Sequence, residues 1–156
     1  DYQKELIKNE EYIKGHSEAL SKNQTKIILD QIDKSICKIE KENSTGTGFL
    51  CIIQNNELFE FQPVLVTCHH VLGFNDLKVG NDIKFFFGKK QKRLKIDQTR
   101  TIYTNEEYDA TIIELRKGEF PCKDFLKIDD DIYKEEDFSQ IYKDKSIYII
   151  HYPKGI

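Results

Sequence analysis

The sequence has no methionine or tryptophan and only three prolines. No apolar run approaches the roughly 18 residues that a membrane-spanning helix needs. The absent run argues against a helical anchor within this sequence, and no membrane partner is expected. No secretory leader is expected from the polar and charged residues 1–6. No Met stands at position 1, and the sequence stops soon after an apolar run, as expected of a piece of something longer.

Positive charge is not in excess either: 24 basic residues are mixed with 27 acidic ones, for a net charge of −3. Gripping a phosphate backbone takes clustered Lys and Arg, so no nucleic-acid partner is expected. The most basic run, Lys89 to Lys95, reads as the exposed end of a β-hairpin. CxxC pairs are lacking as well. The four cysteines stand at 37, 51, 68 and 122. Without a leader they read as free buried thiols in a reducing, cytoplasmic compartment. Cys68-His69-His70 holds three residues of zinc-ligand type. Neighbours on a strand face opposite ways, so no metal and no cofactor are expected.

Aromatic residues are plentiful. Ten Phe and eight Tyr supply the large buried surfaces of a globular domain, even though 33% of the chain is charged. Residues 1–34 are free of proline and rich in good helix formers, which predicts a helical arm or a linker from a preceding domain. Leu6, Ile13, Leu20 and Ile27 recur every seven residues as a stripe for packing. From residue 35 the period shortens to two.

Six short strands are predicted over 35–115, at 35–41, 49–53, 64–67, 83–87, 93–103 and 110–115. This is a mostly β unit, an antiparallel six-stranded barrel. Its expected interior holds Ile36 or Cys37, Phe49, Cys51, Ile53, Leu65, Phe85, Ile112 and Leu115. Residues 116–145 form a polar connection, and 146–152 read as a further strand. The acidic runs around 129–137 read as solvated surface rather than a calcium loop, because no glycine sits where such a loop needs one.

Three fragments could carry chemistry together: Thr45-Gly46-Thr47-Gly48-Phe49-Leu50, Leu65-Val66-Thr67-Cys68-His69-His70-Val71-Leu72, and Tyr108-Asp109-Ala110-Thr111-Ile112-Ile113-Glu114-Leu115. A His closing one strand and an Asp opening a later one can meet in space. A carboxylate on one imidazole nitrogen leaves the other free to take a proton from a nucleophile. These fragments, in this order, resemble the trypsin-like (chymotrypsin-fold) serine peptidases, HtrA-like and related intracellular branches in particular.

The resemblance implies that His70 is the general base, with His69 its competitor, and that Asp109 orients it. Residues 149–155 are similar to the strand that opens the family's second barrel, which makes 116–156 a linker plus the start of an incomplete second barrel. The resemblance covers residues 35–156. The family's Gly-flanked Ser motif does not occur, since Ser17, Ser21, Ser35, Ser44, Ser139 and Ser146 all lack flanking glycines. The resemblance thus implies a Ser-His-Asp endopeptidase whose nucleophile lies outside this chain, leaving the chain alone inactive. Its partners would be a protein or peptide substrate and the remaining barrel. An inactive trypsin-like domain acting as a protein-binding module is the alternative. The apolar side chains of Ile147 and Ile149 are expected to lie against that second barrel.

Overall fold

The computed structural model describes residues 19–41, 44–53, 57–59, 62–120, 124–129, 142 and 147–152. Among them are one helix, α1 (Lys22–Lys34), and seven strands: β1 (Ile36–Glu40), β2 (Thr45–Ile52), β3 (Pro63–Thr67), β4 (Asp82–Phe87), β5 (Lys90–Lys95), β6 (Ile102–Asn105) and β7 (Ala110–Glu114). The strands form one antiparallel sheet in the order β5-β4-β1-β2-β3-β7-β6, curled into a half-barrel. The molecule is mostly β, as expected. Its two end strands, β5 and β6, share no ladder.

The strand count departs from six because the run 93–103 is two strands. Asp97 accepts hydrogen bonds from the backbone N–H (2.8 Å) and the hydroxyl (2.7 Å) of Thr99, a side-chain-closed turn that ends β5 before β6 begins. Arg100 then fixes the corner. Its guanidinium is buried and paired with Glu119 at 2.6 and 2.9 Å, and it also donates to the carbonyls of Lys95 and Glu114.

Within the expected 1–34 arm, the described helix is α1. Ser21 and Gln24 form a reciprocal capping box that starts α1 at Lys22, so residues 19–21 are not helical. Leu20 and Ile27 are exposed and α1 buries no residue, so this half of the seven-residue stripe is not buried among the described residues. Leu6 and Ile13 lie outside the described residues, as do Cys122 and the acidic stretch 130–137. The strand expected at 146–152 is not one over 147–152, which share no ladder with the described sheet. Strands exist by pairing. Here the Tyr152 N–H donates to the Thr47 hydroxyl at 2.8 Å, and Ile147 and Ile149 are exposed.

The main core lies on one face of the sheet and holds Cys37, Ile39, Leu50, Leu65, Leu72, Ile83, Phe85, Phe87, Leu94, Ile96, Ile113 and Leu115. Each fully buried Leu, Ile or Phe contributes about 1.5–3 kcal/mol. Phe49 and Ile112 do not belong to it. They lie on the opposite face, where Phe49 is 37% exposed and Ile112 is partly buried. That face has a small cluster of its own, Cys51, Phe59 and Val64, against which Ile53, Val66, Ile112 and Leu126 pack. Residues 124–126 cover it, held by the Leu126 N–H on the Leu50 carbonyl (2.9 Å) and the Ser35 hydroxyl on the Asp124 carbonyl (3.0 Å). Burial on both faces blurs the alternation that separates inside from outside.

Candidate active site

The site forms where the segment leaving β3 meets the β6–β7 hairpin. After Thr67 the chain enters a tight turn, with the Val71 and Leu72 N–H groups both donating to the Cys68 carbonyl at 3.1 Å. Leu72 plugs this turn into the core. One glycine makes room for it. A side chain at Gly46 would collide with both methyls of Val71, so the first glycine of the Gly-x-Gly in β2 seats the segment that carries the histidines. A side chain at the second, Gly48, would instead come within 2.8 Å of Ile39 Cδ1 in the core. Lys41 locks it from the far side, donating to the Val71 carbonyl (3.0 Å) and pairing with Asp76 (2.8 Å).

The hairpin presents Asp109 at its last turn residue. Its φ of 46° is left-handed, a conformation in which Gly is free of cost and Asp is tolerated. From there its carboxylate meets His70 twice. The His70 backbone N–H donates to Oδ1 at 2.8 Å and ring Nδ1 lies 2.7 Å from Oδ2. These two bonds, the backbone one foremost, hold the Asp109 carboxyl below its ordinary range. The group is therefore ionised near neutral pH and can only accept. Nδ1 must then carry the hydrogen, and in the neutral ring Nε2 keeps a lone pair. The ring is largely exposed, with 70% of its side-chain surface accessible.

His69 points elsewhere and is held by a chain of hydroxyls. Buried Thr111 donates to the Leu72 carbonyl (2.8 Å), so it accepts from Thr104 at 2.7 Å. Thr104 has then used its hydrogen and accepts from His69 Nδ1–H at 2.8 Å. The other edge of the ring packs on Phe74, with 4.8 Å between centroids, and against Gly73, where a Cβ would come within 3.2 Å of Nε2. His69 thus ties the turn to β6 and β7 and stands apart from Asp109. Sequence reasoning missed this tie. Its one signal was Thr111, a hydroxyl at an inward position of β7.

A third side chain joins the pair. Cys68 stands beside the Asp109 carboxylate. One ligand-type atom from each of Cys68, His70 and Asp109 lies within 4.8 Å of the others. Burial, then the Asp109 charge, raises the Cys68 thiol above its ordinary value. It is therefore a protonated thiol, unsuited to nucleophilic attack. Among the described serines, Ser21 caps α1 and Ser35 is buried against Asp124, and no hydrogen bond joins Ser21, Ser35 or Ser44 to His70. Searches of known protein families, curated proteins and solved structures find no match to this chain.

Proposed function

We propose that this chain carries the base and orienting carboxylate of a trypsin-like serine endopeptidase. In this reading the curled sheet is the first of two chymotrypsin-like barrels and residues 147–152 lead into the second. The supporting observation is the double hydrogen bond of Asp109 to His70, made from a left-handed backbone position at the end of the hairpin turn. Asp109 fixes the tautomer and stabilises the imidazolium. Nε2 of His70 takes the proton from a Ser hydroxyl, supplied from outside this chain, as that oxygen attacks a peptide carbonyl. The same nitrogen then protonates the leaving amine. No metal or cofactor takes part in these steps.

The test is a fluorophosphonate probe with peptide hydrolysis on the full-length protein. One serine should be labelled. His70→Ala should lower kcat by about 10⁶-fold and Asp109→Asn by about 10⁴-fold. A folded full-length protein that neither labels nor hydrolyses peptides contradicts the reading and favours a protein-binding module.

A further inference from the structure

Cys68, His70 and Asp109 offer one sulfur, one nitrogen and one oxygen donor within 4.8 Å of each other. This is the ligand chemistry of a borderline-soft divalent ion, which takes thiolate, imidazole and carboxylate together. We propose that these three side chains form a zinc site with an open fourth position. In a tetrahedral site the donors stand about 3.3–3.6 Å apart, so closing the cluster takes side-chain shifts of about 1 Å. His70 and Asp109 are exposed enough to make them. Neighbouring residues on a strand could not achieve this. The turn that starts at Cys68 brings Cys68 and His70 to one side, and the hairpin brings Asp109 to both.

Protons balance simply. Binding releases the Cys68 thiol proton to solvent, because the thiolate is the ligand. If the ion takes Nδ1, the hydrogen of the neutral ring sits on Nε2. If it takes Nε2, that lone pair is consumed. In either case the ring can no longer accept a proton from a nucleophile. Occupancy would therefore switch the base off, a consequence that rests on the peptidase reading. The binding itself does not.

Zn²⁺ titration by calorimetry and Co²⁺ titration by absorbance, on the full-length protein, test the site without any activity. The expected result is one ion per chain with a thiolate-to-cobalt charge-transfer band. Cys68→Ala should remove the band and weaken zinc by more than the roughly 10–100-fold that losing an outer-shell partner costs. His151→Ala, an exposed histidine elsewhere, should leave both unchanged. Circular dichroism confirms that each variant is folded. Absence of saturable binding, or Cys68→Ala and Asp109→Asn variants that bind zinc like the parent, overturns the site. In the same samples zinc should slow fluorophosphonate labelling of the parent and spare Cys68→Ala. Bound zinc that leaves the labelling rate unchanged overturns the switch and keeps the site. Bound zinc in a protein that never labels sinks the peptidase reading alone.

Discussion

Asp109 bears two demands at once, a left-handed backbone and a carboxylate aimed at His70. Gly would satisfy the first and abolish the second. The two costs can be separated. Asp109→Gly and Asp109→Ala both lose the His70 bonds, but only Ala keeps a Cβ in the left-handed region. The Gly variant should be more stable than the Ala variant by about 1 kcal/mol, read as a higher Tm. Equal stability, or Ala ahead, would show that the turn is not strained. In the sequence, His70 is favoured over His69 only by its place between Thr67 and Val71, because both follow the same strand. What separates them is long-range: a carboxylate 39 residues on for His70, a hydroxyl 35 residues on for His69. Cys68 was legible only as a ligand type, because its neighbour Asp109 arrives through the fold.

At the scale of elements, β3 and β4 lie where short apolar runs placed them, and within β4 Lys84 is exposed and Phe85 buried. The run 93–103 was misread for want of the turn at Asp97. That turn has a measurable signature. Thr99, by its hydroxyl and then its N–H, and Arg116 hold the Asp97 carboxyl down at about 2, below its ordinary 3.8. A carboxylate depressed in the folded state stabilises the fold above the unfolded pKa and loses that effect as pH falls through the folded one. The parent should exceed Asp97→Asn in Tm by a constant margin above about pH 5, and the margin should shrink between about pH 4 and pH 2. A margin independent of pH would mean that the charge plays no part. The neighbouring corner carries a larger cost. Arg100 has 2% of its side-chain surface exposed and Glu119 17%. Glu119→Gln leaves that guanidinium without its counter-charge, and unfolding measurements should find a loss of about 3–5 kcal/mol. A loss under about 1 kcal/mol would mean that water reaches the pair.

At the scale of the whole molecule, the mostly β architecture was readable from the period of two, and the order of the three fragments anticipated which loops would meet. The inside–outside assignment was less secure. The sequence pattern puts Phe49 and Ile112 in the core, yet residues 124–126 and Phe59 give the opposite face a cluster of its own. The sheet brings β2, β3 and β7 side by side, and on that floor the turn after β3 faces the β6–β7 hairpin. No helix among the described residues is long and apolar enough to cross a membrane.

One proton decides the role of His70. If Asp109 orients His70, the hydrogen of the neutral ring sits on Nδ1 and Nε2 is the free base. Nitrogen-15 NMR of the neutral His70 ring reads this directly. The parent should show a protonated Nδ1 and an unprotonated Nε2, with that preference lost in Asp109→Asn. A His70 ring protonated mainly on Nε2, or mixed as in a free histidine and insensitive to Asp109, would contradict that role.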